Sequence, residues 1–270
     1  MKYLCNNEDD SPLYLFHNCD EDQKLKKKYN VPKFFKEDYL SILKSSVRPP
    51  YRWLLIGPRR SGSKIHLDPL NTSAWNTSLK GYKLWIIFPN KCPKWIIEGK
   101  HLDLPRSISK ECISYFHLKL KTILEKEGDL ITPYICLQKP GDTIFVPGGW
   151  WHGVLNVTDT MAITQNYMNS INFEYVWKSL RVERKMLASF FLRTMKKKNP
   201  SIFIKAKKAN IRDSFVMYKD RTEIRFEEDH TTTTVENSSS RSTSSSSDYQ
   251  SLESESSNSN ASCIKEEEPK

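Results

Sequence analysis

The feature that most limits the fold of this chain is a series of short apolar runs between Tyr51 and Tyr167, each closed by Gly, Pro, Asn or Ser. Arg52–Ile56, Lys64–Asp68, Tyr82–Phe88, Thr143–Val146, Trp150–Val154 and Thr160–Tyr167 are rich in β-branched and aromatic side chains, the composition of half-buried strands. Six such runs in so short a span predict a β-sandwich or barrel. Around them the period changes. Apolar side chains recur at helical spacing from Val31 to Leu43, behind Pro32 and before Pro49-Pro50, and predict one amphipathic helix. A second helix is expected within an insertion from Ser114 to Gly128, through Phe116, Leu120 and Leu124. After Asn169, residues Phe173, Val176, Trp177, Leu180, Met186, Leu187, Phe190 and Phe191 supply an apolar helical face between basic residues, able to cap the barrel or to pair with a second copy as a homodimer.

Two hundred and seventy residues suffice for one sizeable core with an appended tail. The expected organisation is an amino-terminal segment with a helix packing on the barrel over residues 1–50, a barrel core over 51–170, basic helices over 171–226 and a tail over 227–270. From Thr231 the chain holds fourteen serines in forty residues and too few apolar groups to offset the entropy of ordering, so the tail is expected to be disordered.

Charge is distributed unevenly. Lys178 to Arg225 carries fifteen Lys or Arg against four Asp or Glu, whereas Thr231 to Lys270 carries three against seven. A basic stretch of that density suits a polyanion, nucleic acid (RNA or DNA) first, although a lysine-rich helix is more often merely a solvated face. The six cysteines, Cys5, Cys19, Cys92, Cys112, Cys136 and Cys263, contain no Cys-x-x-Cys pair, which predicts free thiols in a reducing compartment. No apolar run approaches the roughly eighteen residues of a membrane span, so no membrane partner is expected.

The chemistry is concentrated in a few positions. His66 and Asp68 are two apart on an expected strand, so imidazole and carboxylate face one side. Alone, that spacing fits a half-buried histidine paired with an acid as well as a metal site. His152 follows Asp68 by eighty-four residues and is entered through Pro147-Gly148-Gly149. Two histidines and one carboxylate from a β framework match the ligand set of non-haem Fe(II) oxygenases, whose remaining positions suit a bidentate 2-oxo acid and O2. The carboxylate at the far end of a 2-oxo dicarboxylate then needs a buried cation. Lys83, on one strand face with Trp85 and Ile87, supplies it unless that strand is an edge and the lysine points outward. Thr164 and Asn166 share a face and add a hydroxyl and an amide to the lining.

Pro58–Asn76 and Gln138–His152 closely resemble the Jumonji-C (JmjC) family of 2-oxoglutarate- and Fe(II)-dependent oxygenases, in particular its phosphatidylserine-receptor-type branch of bifunctional arginine demethylases and lysyl hydroxylases. Asp10–Tyr14 and Val31–Phe35 are similar to its upstream segment; the resemblance runs from about Asp9 to about Trp177 and is looser beyond. It implies a mainly β fold, the double-stranded β-helix or cupin-like jelly roll with flanking helices. It implies His66, Asp68 and His152 as iron ligands, Lys83 as the partner of the distal carboxylate of 2-oxoglutarate, and Tyr14, Ser63, Asn76, Thr164 and Asn166 as further lining of the co-substrate pocket. Ser63 stands where the family usually has threonine and keeps the hydroxyl. The family normally has more chain ahead of this point, which raises the expectation of a shortened isoform or incomplete gene model.

The resemblance implies lysyl hydroxylation to 5-hydroxylysine and, as a second activity, demethylation of methylarginine, on Lys/Arg-rich substrates such as splicing factors and histone tails. A nuclear location follows from the same resemblance, with the cytosol as the alternative, and the lysine clusters near Lys196 and Lys205 fit import signals. Two other readings stay open on the residues: a catalytically inactive module of the same fold that binds RNA or protein, and a metal-free cupin-like structural protein. Decarboxylation of 2-oxoglutarate separates the first from an enzyme, and metal analysis separates the second.

Overall fold

The computed structural model describes residues 2–9, 12–20, 22–43, 47–102 and 111–218, and among these nine strands form two antiparallel sheets. The strands are β1 (Leu15–Asn18), β2 (Arg52–Gly57), β3 (Gly62–His66), β4 (Ser73–Lys80), β5 (Lys83–Phe88), β6 (Tyr134–Gln138), β7 (Thr143–Val146), β8 (Trp151–Asn156) and β9 (Thr160–Tyr167). The larger sheet runs β1-β2-β9-β4-β7 and the smaller β3-β8-β5-β6. Their facing sides hold Ala74, Val146, Trp85, Ile87 and Val154 in one apolar cluster. This is the mainly β, jelly-roll architecture expected.

Each outer face is covered by a different part of the chain, which explains why central strands are apolar on both sides. On β5, Trp85 and Ile87 point between the sheets, while Ile86 and Phe88 join Ile96, Ile97, Tyr115, Leu120 and Ile123 of the helical insertion. Outside the larger sheet, Trp75, Ile163 and Tyr167 pack against Tyr29, Val31 and Phe35. Beyond β9 the apolar period resolves into three helices, Phe173–Glu183, Lys185–Lys198 and Pro200–Arg212. Their core of Phe173, Trp177, Leu180, Phe191 and Met195 also takes up Leu40, Leu43 and Leu70. Fully burying a side chain of this size contributes about 2 kcal/mol, so the helices are integral to the barrel's flank.

The helix expected over Val31–Leu43 does not form. Two 3-10 turns, Lys33–Phe35 and Tyr39–Ile42, stand there instead. The Asp38 carboxylate accepts from both Leu40 N and Met168 N at 3.1 Å, and Tyr39 N donates to Met168 O at 2.6 Å. Backbone groups that a helix would pair internally are thus tied to the end of β9, and this tertiary demand overrides the local period. The insertion helix begins earlier than expected, at Cys112, and passes through a π-turn over Tyr115–Lys119 before Leu120–Glu127. The tail expected over 227–270 lies outside the described residues, as does the end of the basic stretch from Lys219. Among the described residues, Cys19, Cys92, Cys112 and Cys136 are free thiols, and no helix is long and apolar enough to cross a membrane.

Candidate metal centre

β3 and β8 pair antiparallel with His66 opposite His152, which brings the two imidazoles to 4.3 Å between ring centres. His66 Nδ1 lies 2.7 Å from Lys64 O and His152 Nδ1 lies 3.0 Å from Trp150 O. A carbonyl only accepts, so each Nδ1 carries a proton and Nε2 is the nitrogen turned to the ligand position. Both Nε2 atoms are 3.9 Å from Asp68 Oδ1, and the three groups offer ligand atoms within 4.8 Å of one another. Burial holds His152 below the ordinary imidazole pKa, against the upward pull of Asp68, and keeps it in the neutral, ligating form.

Asp68 reaches this position from outside the strand. The expectation of His66 and Asp68 on one strand is corrected: β3 ends at His66, and Asp68 opens a 3-10 turn over Pro69–Asn71. Leu70 and Asn71 both adopt left-handed φ, 57° and 53°, a conformation costing about 1–2 kcal/mol for a residue with a side chain. Burial of Leu70 among the helices and the Thr72 hydroxyl donating to Pro69 O hold the turn. Asp68 makes no side-chain capping bond there, and its Oδ2 is buried with no hydrogen-bond partner. An orphaned buried carboxylate oxygen is costly unless a cation meets it. Two imidazoles and an unsatisfied carboxylate converging on one point fit a divalent metal with nitrogen and oxygen preference.

On the other flank, His152 follows a turn at Pro147–Trp150 that depends on glycine. Gly149 sits at φ +76°, and a Cβ on Gly148 would come within 2.5 Å of Asn71 O. The two ligand-bearing turns therefore pack backbone against backbone.

The triad lies in a cavity of about 470 Å³ between the sheets. Tyr14, Ser63, Asn76, Thr164 and Asn166 all line it, with Trp53, Leu55, Trp85 and Val154 as apolar wall. Cross-strand register accounts for the grouping: Thr164 is opposite Asn76, and Asn166 is opposite Ala74. Thr164 Oγ1 donates to Trp75 O at 2.8 Å, and Asn166 Nδ2 to Thr72 Oγ1 at 2.9 Å.

Lys83 is fully buried, as expected of an anion partner rather than an edge lysine. Its Nζ donates to Tyr14 Oη at 3.0 Å, Asn156 Oδ1 at 2.7 Å and Thr160 Oγ1 at 3.2 Å. All three acceptors are neutral, and burial pushes the ammonium down to about 7. Lys83 sits behind Tyr14, which itself borders the cavity. Asn156 and Thr160, which complete this cradle, were not singled out by the sequence; Asn156 stands opposite Lys83 on β8, a relation visible only once the strands are paired.

Residues 53–167 match the family model described as JmjC domain, hydroxylase. This part of the chain is a JmjC domain. The chain is 37% identical over 211 residues to the bifunctional arginine demethylase and lysyl-hydroxylase psr-1 of Caenorhabditis elegans, covering 74% of this chain and 51% of that protein. It is 41% identical over 180 residues to the lysine-specific demethylase JMJ21 of Arabidopsis thaliana, covering 65% of this chain and 19% of that protein. It is also 30% identical over 154 residues to the 2-oxoglutarate and iron-dependent oxygenase JMJD4 homolog of Drosophila melanogaster, covering 57% and 33%. The chain thus spans about half the length of the psr-1 proteins it matches. Its JmjC domain holds the whole triad and Lys83, whereas Tyr14 enters from β1's approach, outside the matched residues.

Proposed function

We propose that the chain is a protein oxygenase dependent on Fe(II), 2-oxoglutarate and O2, hydroxylating lysine side chains and removing methyl groups from arginine. The observation that carries this reading is the convergence of His66, Asp68 and His152 in a cavity bordered by Tyr14, the hydroxyl partner of the buried Lys83. Bound iron would supply the activation of O2, coupled to conversion of 2-oxoglutarate to succinate and CO2. His66, Asp68 and His152 hold the metal on one side and leave the other to the cavity. Lys83 neutralises the distal carboxylate of 2-oxoglutarate, with Tyr14 beside it, and Ser63, Asn76 and Thr164 border its path. Val154, Leu55 and Trp85 exclude water from the reacting end. An oxygen placed on lysine C5 leaves a stable alcohol. Placed on an N-methyl carbon, it leaves a hemiaminal that releases formaldehyde.

The test is mass spectrometry of an Arg/Ser-rich splicing-factor peptide carrying lysine and methylarginine, incubated with the chain, Fe(II), ascorbate and 2-oxoglutarate. Gain of one oxygen is the expected result, with loss of a methyl group as the second activity. No change in the peptide and no succinate would overturn the proposal in favour of a non-catalytic module.

The same reading places the protein in the nucleus, acting on splicing factors and histone tails as a chromatin regulator. Its exposed Lys196, Lys197, Lys198, Lys207 and Lys208 favour RNA as a bridge to such cationic substrates. Reversal of Lys196, Lys197 and Lys198 to Glu is expected to weaken retention on a mixed-sequence RNA and to lower the salt slope of binding by about 2. An unchanged slope would remove RNA from the proposal.

A further inference from the structure

The site described so far accounts for a metal and a dicarboxylate, and leaves open how the cavity recognises the positive charge of a lysine or methylarginine. That charge is close to the reacting carbon: the lysine ammonium is two bonds from C5, and the guanidinium nitrogen is one bond from its methyl. Whatever reads it must therefore line the same cavity as the metal triad. Among the described residues lining that cavity, Asp68 is the single carboxylate, and it is turned to the metal position. Lys64 lines it too, and its charge is met at the rim by Glu111 at 3.3 Å. Among the described residues, no second acid lines the wall to pair with a substrate cation.

Of the four Phe, Tyr and Trp rings on the wall, Tyr14 is held by Lys83 and Trp85 is buried with its indole N–H on Gln138, which leaves two for a substrate. Phe16 on β1 and Trp53 on β2 both line the cavity. Phe16 pairs with Leu55, and Trp53 precedes Leu55 by two residues, so the two rings stand on one sheet face as diagonal neighbours. Phe16 is 52% exposed although its neighbours line an apolar wall, and its ring meets the Tyr14 ring edge-on at 4.9 Å. His66 is also open on this side, with 40% of its side chain exposed. β1 and β3 are each an edge strand of their sheet, and they contribute Phe16 and His66 to the cavity lining.

We propose that Phe16 and Trp53 form the subsite for the cationic side chain of the protein substrate, holding a lysine ammonium or a methylguanidinium against their ring faces. This rests on the oxygenase reading for the identity of the substrate. An aromatic subsite serves both side chains, because a ring face attracts an ammonium and a planar guanidinium without fixing a hydrogen-bond pattern. A carboxylate at that place would also compete for the metal.

The test measures binding without turnover, by calorimetry on the full chain with 2-oxoglutarate and Mn(II) in place of iron. The probes are two otherwise neutral peptides, one with a single lysine and one with norleucine, which keeps the four-carbon stem and lacks the ammonium. The wild-type chain is expected to bind the lysine peptide about fivefold more tightly. Phe16→Ala and Trp53→Ala should each bring the two peptides close to parity, and Trp53→Phe should keep most of the preference. Equal affinities in the wild-type chain, or a preference that survives both alanine variants, would overturn the subsite. The wild-type comparison needs no variant to fold. Succinate formation by the wild-type chain with iron is measured separately: if it occurs without a peptide preference, the subsite alone fails, and if it does not occur, the oxygenase reading fails.

Discussion

Replacing Asp68 by alanine is expected to lower Fe(II) affinity at least about 100-fold and to abolish iron-dependent consumption of 2-oxoglutarate. The opposite sign is expected for the metal-free fold. In the wild-type chain Asp68 Oδ2 is buried without a partner, and the turn that carries it holds Leu70 and Asn71 at left-handed φ. Removing the carboxylate deletes an unsatisfied buried group, a relief of about 1–3 kcal/mol. The metal-free Asp68→Ala variant should therefore melt no lower than the metal-free wild type, while losing the stabilisation that added metal gives the wild type. Metal titration and thermal melts with and without Mn(II) check both arms. Unchanged metal affinity in the variant would dismantle the assignment of the triad.

Lys83→Met is the second large effect. Methionine fills a similar volume without a charge, so 2-oxoglutarate loses its buried counter-ion, and its KM or Kd should rise at least about 100-fold. The pH dependence of stability gives an independent readout. An unfolded lysine titrates at 10.5, and in the fold burial brings Lys83 to about 7. Between those values the unfolded chain binds the extra proton, so the contribution of Lys83 to stability improves as pH rises from 7 towards 10 and is at its worst below 7. Lys83→Met should remove that slope and stabilise the chain most at the low end. Saturating 2-oxoglutarate should flatten the slope in the wild type, because its carboxylate restores the charged ammonium. Denaturant melts at pH 7 and pH 9 test this, and identical slopes in wild type and variant would show that Lys83 is not the buried titrating group.

The parts of this molecule legible in its sequence are those where local pattern and tertiary role agree. β5, β7, β8 and β9 are β-branched or aromatic and lie within a residue or two of the expected runs. β4 is not legible because Ser73, Asn76 and Ser78 are poor strand formers that break the apolar alternation, and Asn76 is polar where it lines the cavity. β1 is only four residues long and half exposed, and β6 is a short edge strand ahead of Lys139-Pro140-Gly141, so neither had a period long enough to register. The helix expected near Phe35 was lost to Asp38, whose carboxylate serves Met168, 130 residues away. For the site, His66, Asp68, His152 and Lys83 were visible through residue type and spacing. Asn156, Thr160, Phe16 and Trp53 were not, because their roles follow from which strands are neighbours. The position of Asp68 was inferred correctly for the wrong local reason, since a strained turn rather than strand alternation aims it at the histidines.

The placement of β1 has a consequence for how the molecule divides its labour. The metal ligands stand on β3, on β8 and on a turn pinned by buried Leu70. Phe16 instead arrives on a four-residue ribbon joined to the rest by a ladder to β2, with Tyr14 just ahead of it. Fraying of that ribbon would bare Lys83 and unmake one wall of the cavity while leaving the ligands where they are. The three ligands thus keep their own backbone supports whatever β1 does, while the hydrogen-bonded cradle of Lys83 depends on it through Tyr14.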